Sequence, residues 1–236
     1  MISRLTIIFM AFFICVDSEA NPYQNAKWEL ISNEDSVEVY SAEIEDNDIR
    51  GVKGVFTMPY NCAYVFSVIM DSPRSFDWVD RIISSEIIEQ RAPHKHLVYL
   101  AMETPFPFDD REFIYEREYS FDDDNDSIFV TMRSVPYEKD ENDRLRATIH
   151  YSSQLFTSTD EGESCLVESQ THADPGGYIP AWIVNIYQTD WPMNTSLALK
   201  EELKKGPSKL HPEVSQQIDT ALEIDSSTYA NFALTE

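Results

Sequence analysis

From Arg111 to Tyr119 the side chains alternate without a break: Arg111, Phe113, Tyr115, Arg117 and Tyr119 share one face of an extended strand, and Glu112, Ile114, Glu116 and Glu118 share the other. The acidic face is expected to meet water and the aromatic face to line an interior, which carries Arg117 inward. A guanidinium keeps its proton at ordinary pH, so a buried one needs a carboxylate, carbonyls, ordered water or a ligand headgroup. A loop stiffened by Pro105 and Pro107 feeds this strand, and about sixty residues later the run from Ala173 to Asn185 reads as a strand end, a tight turn and the start of an amphipathic helix. Together the two segments predict a cavity with a lid.

A chain of 236 residues that is 42% hydrophobic can bury one substantial core, and nothing in its length demands two domains. The first twenty residues stand apart: Arg4 precedes an apolar run over 5–16, and Ser18 and Ala20 supply small residues for a cleavage site. This predicts a secretory signal peptide over 1–20 and export to a periplasm or the exterior; the run is short for a bilayer span, which needs about 20 apolar residues, and retention as an anchor is the alternative. Cys15 is poorly placed for lipidation because bulky Ile14 precedes it.

Removing residues 1–20 takes Arg4, Asp17 and Glu19 away and leaves a formal charge of −23, against −24 for the whole chain. Phosphate recognition depends on clustered Lys and Arg, so nucleic acid is not an expected partner. The same field opposes long residence on anionic membranes and leaves room only for transient lipid contact. Two cysteines then remain, Cys62 and Cys165, which form one disulfide or stay as two buried thiols. Asn125-Asp126-Ser127 and Asn194-Thr195-Ser196 match the N-glycosylation pattern.

The region 28–31 closes a first helix or begins a strand. Period-two segments at 36–42 and 49–58 form a hairpin, and 62–70 carries apolar residues at helical spacing, with a second short helix expected after Pro73. Strands are then predicted at 87–90, 97–103, 111–121, 128–135, 144–157 and 165–173, joined by short turns that imply antiparallel pairing. The acidic turn 122–126 lacks the Gly and Glu positions of an EF-hand, and His94 and His96 have no third ligand near in sequence, so no metal is expected. Pro180 opens the last helix, whose apolar stripe is read as Ile179, Trp182, Ile183, Ile186 and Tyr187. A kink is expected at Pro192, with the helix continuing over 193–205, and 207–236 is a tail without sustained periodicity.

Early helices, a long antiparallel sheet and a C-terminal helix make an α+β helix-grip, a curved sheet wrapped round a helix. Trp78, the run from Pro105 through Arg111 to Tyr115, Arg117, Arg146, and Asp174-Pro175-Gly176-Gly177 followed by Pro180, Trp182 and Asn185 then carry a resemblance to the START domain, the steroidogenic acute regulatory protein-related lipid-transfer family. The resemblance runs from about Trp28 to Lys205, so the domain is placed at 21–206.

The resemblance implies a hydrophobic tunnel for a single sterol, phospholipid or similar lipid, with 102–110 as an Ω-loop and the helix from Pro180 as the lid beside it. It departs from the family at Tyr99 and Leu100, where several members carry a glutamate that pairs with the arginine matching Arg117; here Glu103, His150, Tyr151 or a ligand headgroup is left to partner Arg117. The expected lining is Arg117, Tyr99, Met102, Phe106, Phe108, Tyr115, His150, Tyr151, Trp182, Ile183, Ile186 and Tyr187. No cofactor is expected, and a single copy is expected to act. The common hydrolase, nucleotide and dinucleotide motifs are absent, which points to binding without reaction. The alternative is a helix-grip enzyme acting on an apolar substrate, with Arg117, His150, Glu168 and His172 as its acid and base groups. In a helix-grip sheet the strand from Ile49 lies antiparallel beside the one from Cys165, which brings Cys62 and Cys165 within reach of each other.

Overall fold

The period-two segments pair into one antiparallel sheet that curves round the C-terminal helix, a helix-grip architecture. The computed structural model describes Tyr23 and residues 25–122, 126–138 and 143–205; the predicted signal peptide and the tail lie outside the described residues. Strands β1 (Glu29–Glu34), β2 (Val37–Ile44) and β3 (Asn47–Met58) form a meander. After helix α1 (Cys62–Met70) and a 3-10 turn (Ser72–Asp77) come β4 (Ile82–Ala92), β5 (Lys95–Met102), β6 (Arg111–Asp122) and β7 (Ser127–Ser134). The short β8 (Leu145–Arg146), then β9 (Thr148–Thr159), β10 (Ser164–Asp174) and helix α2 (Ala181–Leu203) complete the order. The spatial order is β1-β2-β3-β10-β9-β7-β6-β5-β4, with β8 running parallel beside β6. The fold is joined in its middle by the pairing of β3 with β10, two strands over a hundred residues apart.

Helix α1 is nearly all apolar and buried, and its first turn is capped by Asn61, whose Oδ1 accepts from the Tyr64 N–H at 2.8 Å. Two ties fix it. The Tyr64 hydroxyl donates to the Leu203 carbonyl at 2.7 Å, and Cys62 forms a disulfide with Cys165. The β3–β10 register, which sets Met58 opposite Cys165, brings the two cysteines together. A bridge across 103 residues of sequence stabilises by about 4–5 kcal/mol in the chain-entropy account.

Of the two readings of 28–31 the structure has the strand, with β1 starting at Glu29. Two expectations change: the second early helix is only the 3-10 turn, and β4 begins at Ile82, five residues ahead of the expected start. Helix α2 runs through Pro192 as one element. Pro192 faces Gly54, where a Cβ would lie 2.6 Å from the Pro192 Cβ, so the helix sits against the sheet at a point without a side chain.

The acidic face of β6 also departs from expectation. Ile114 is buried with Leu97, Tyr99 and Ala101 in a convex-side cluster that Val135 and Tyr137 cover. Glu112 is 5% exposed because Arg146 closes over it, donating from Nε to Oε1 at 2.8 Å.

Candidate functional site

Gly54 touches α2, so the face it shares is the concave one, and strand register sorts that face into rows. One row is apolar: Phe56, Val167, Phe156, Ile128 and Phe121, under α1. The next two are mixed and polar: Gly54, Ser169, Gln154, Val130, Tyr119, and then Val52, Thr171, Ser152, Met132, Arg117, His96. Beyond them lies a second apolar cluster of Val98, Phe113, Tyr115 and Ala147, with Leu100, Met102 and Ile149 packed against it. A polar belt therefore crosses the concave face between two apolar regions.

Arg117 sits in that belt, 4% exposed. Its Nη1 donates to Ser72 Oγ at 2.6 Å, and Nε has no partner among the described residues. Burial pulls the guanidinium below its ordinary value, opposed by Tyr115, Tyr119 and Asp71. Asp71, at the C-terminus of α1 and 2% exposed, is thus the carboxylate that acts on Arg117; Glu103, His150 and Tyr151 do not. Burial raises the Tyr115 and Tyr119 phenols, which stay neutral.

Further polar atoms are buried without a partner among the described residues: Gln154 Oε1 on the sheet, Gln188 Oε1 and Trp191 Nε1 on α2, and Ser85 Oγ opposite Leu100. Buried donors and acceptors are normally satisfied, so each of these atoms is a position at which water or a ligand group would be accommodated. At the rim, an open cleft of about 420 Å³ is lined by Phe76, Trp78, Val79, Ile82, Ile83 and Glu103. The Arg81 guanidinium beside it lies 5.7 Å from the ring centre of Tyr187 on α2. Arg111 ties the loop before β6 to the turn before α2: Nε donates to the Pro175 carbonyl at 2.8 Å, Nη2 to the Gly176 carbonyl at 3.1 Å, and Nη1 to the Asp109 carbonyl.

Of the residues expected to line the site, Arg117, Tyr115 and Met102 meet on the concave face. Tyr99 does not, because it pairs with Ile114 and so has the opposite parity. His150 and Tyr151 are also convex. A bulge pairs His172 with Tyr151 and Ala173 with Ile149, leaving His150 as the extra residue stacked on His172 at 4.8 Å. Tyr23 covers this group from outside, its hydroxyl 2.6 Å from His172 Nδ1. Glu168 shares the convex parity, opposite Val55 and Leu155.

The stripe on α2 was misread in phase. Val184, Gln188, Trp191, Pro192, Ser196, Leu199 and Leu203 follow the sheet-facing spacing, whereas Trp182, Ile186 and Tyr187 are exposed and Ile183 is half-buried. Phe108 is half-buried and Phe106 projects outward. Sequence reasoning missed Asp71, Ser72, Gln154, Gln188 and Trp191. The parity of Gln154 with Phe156 was a usable signal for one of them; the others depend on how α1 and α2 dock.

A START domain family model matches residues 16–189. An uncharacterized protein of Pseudomonas aeruginosa is 22% identical over 204 residues, spanning 86% of this chain and 98% of its own length. The phosphatidylcholine transfer protein of Bos taurus is 23% identical over 176 residues, 72% of this chain and 81% of that protein. The ceramide transfer protein of Xenopus laevis is 26% identical over 184 residues, 68% of this chain and 29% of that protein. Among solved structures, human STARD10 matches with a TM-score of 0.70 at 19% identity, over 77% of this chain and 74% of that one. A STAR-related lipid transfer protein from Xanthomonas axonopodis matches with a TM-score of 0.66 at 25% identity, over 75% and 98%.

Proposed function

The chain belongs to the START domain family, and on that premise we propose that it binds one lipid molecule between its sheet and α2 and carries it through water without reaction. The observation that carries this reading is the polar belt of Arg117, Ser152 and Gln154 set between two apolar clusters on the concave face. An amphipathic guest fits such a surface, with its polar group at the belt and its apolar body along Val98, Leu100 and Phe113. Burying roughly 300 Å² of apolar ligand surface contributes on the order of 7 kcal/mol before ordering costs. The relatives named for phosphatidylcholine and ceramide transfer favour a lipid over another apolar guest, and a sterol is a third candidate class.

The enzyme alternative loses its chemistry to parity: of Arg117, His150, Glu168 and His172, only Arg117 is on the concave side. Entry is proposed beside the rim cleft, where Arg81 meets Tyr187, because the Arg111 hydrogen bonds hold the expected Ω-loop to the turn before α2. The disulfide supports export into an oxidising compartment, in keeping with the apolar N-terminal run.

Native mass spectrometry of protein purified without detergent tests the reading. One lipid mass per chain is expected, acquired in the host or from vesicles of phosphatidylcholine, cholesterol and ceramide. A protein that stays empty against all three overturns it.

A further inference from the structure

Helix α2 brings two polar side chains to the sheet-facing side one turn apart, Gln188 and Trp191. Pro192 rests on Gly54 and so fixes the height of this turn above the row Gly54, Ser169, Gln154. Gln188 Nε2 donates to the Ala173 carbonyl at 2.8 Å, which orients the amide and leaves Oε1 buried without a partner. Trp191 Nε1 is likewise buried and unpartnered, and so is Gln154 Oε1 on the sheet. These are one donor and two acceptors, all uncharged. A buried indole N–H with nothing to bond is costly unless something arrives to accept from it.

We propose that Trp191 and Gln188, with Gln154 on the floor, form a second polar subsite that takes an uncharged hydroxyl or amide of the bound molecule, apart from Arg117. The inference rests on the lipid reading above and adds to it a chemical requirement on the guest. The group must both accept, from Trp191 Nε1, and donate, to Gln188 Oε1 or Gln154 Oε1. A phosphate has no proton to give these acceptors and gains no positive charge from Trp191, Gln188 or Gln154, so this subsite selects against placing one here.

The test is Trp191→Phe, which keeps an aromatic ring but deletes the N–H, at the cost of a smaller ring; the N–H has no partner among the described residues. Purified chains are loaded from vesicles of phosphatidylcholine containing cholesterol and ceramide, and bound lipid is extracted and identified by mass. Ceramide or cholesterol, each bearing a hydroxyl, is expected to dominate in the parent protein. Its share of the bound lipid relative to phosphatidylcholine should fall about fivefold in Trp191→Phe, the factor for one uncharged hydrogen bond, whereas the smaller ring by itself would weaken all three lipids alike. The Trp191 indole proton resonance should also shift on loading in the parent. Lipid bound with the same composition in both proteins and an indole resonance that does not move would defeat the subsite while leaving lipid binding intact. No lipid in either protein would defeat the reading beneath it.

Discussion

Arg117 and Asp71 bring opposite charges into a dry region, where the carboxylate favours the charged guanidinium through space. Removing one of two buried charges that favour each other leaves the other less compensated, at a cost below the roughly 3–5 kcal/mol of a broken buried ion pair. Arg117→Leu is therefore expected to lower the urea midpoint, and Arg117→Leu combined with Asp71→Asn to recover most of the loss. Ligand retention should remain impaired in the double variant, because the guanidinium Nε that faces no protein partner is still missing. Full retention of lipid by the recovered double variant would assign Arg117 to the scaffold alone. A second residue makes stability depend on pH. Burial, with the neighbouring His150, lowers the His172 pKa to about 4, while Asp174 and the backbone at Ile49 act in the other direction. Tyr23, whose pKa is raised to about 12 by burial and by Tyr151, remains protonated beside it, and Arg133 lies over the Tyr151 ring. The unfolded chain takes up this proton near pH 6.5 and the folded chain only near 4, so the contribution is present in full above 6.5 and lost as pH falls toward 4. The expected loss is on the order of 3 kcal/mol. Thermal melts from pH 7 to 4 should show a shallower decline in His172→Gln than in the parent; equal slopes would remove the imidazole from the account.

At the level of elements, the Gly54–Pro192 contact decides where α2 can lie. A Cβ at position 54 would meet the Pro192 ring, which cannot rotate away, so Gly54→Ala must push the helix outward. Overpacking of this kind costs about 1–3 kcal/mol, and the denaturation midpoint of Gly54→Ala is expected to drop accordingly. An unchanged midpoint would mean that α2 slides freely on the sheet. The same contact explains why α2 was only partly legible in the sequence. Period-two alternation located every long strand, and the apolar spacing over 62–70 located α1, because both patterns are imposed by local geometry. For α2 the most apolar stripe was not the buried one: Trp182 and Ile186 face out, while Gln188 and Ser196 face in. Hydrophobicity predicts an inward face only when the cavity wall is itself apolar, and this one is partly polar. Tyr99, His150 and Tyr151 lie on the convex face for a simpler reason, a parity that depends on strand register and on one bulge in β9.

Across the whole molecule, charge and apolar exposure act in opposite directions at a membrane. A formal charge of −24 repels anionic surfaces at low ionic strength. Yet Phe106 is 97% exposed on the loop before β6, Tyr178 is 101% exposed on the turn before α2, and Trp182 is 65% exposed on the first turn of the helix. Arg111 ties the loop to that turn, so these side chains belong to neighbouring segments joined by hydrogen bonds. Aromatic side chains with one wet edge favour the interfacial layer of a bilayer, and two or three of them give weak, reversible docking. Docking is thus expected on vesicles of neutral phosphatidylcholine, and it should weaken when a third of the lipid is replaced by phosphatidylserine (a proportion of roughly one charge in three headgroups). Added salt should restore most of the difference by screening the repulsion. Trp182→Ala with Phe106→Ala is expected to reduce vesicle sedimentation several-fold on the neutral surface while leaving the melting temperature in place, since neither ring is buried in the core. Sedimentation of the double variant equal to that of the parent would move the docking face elsewhere on the molecule. A preference for phosphatidylserine would show that local positive charge outweighs the net field.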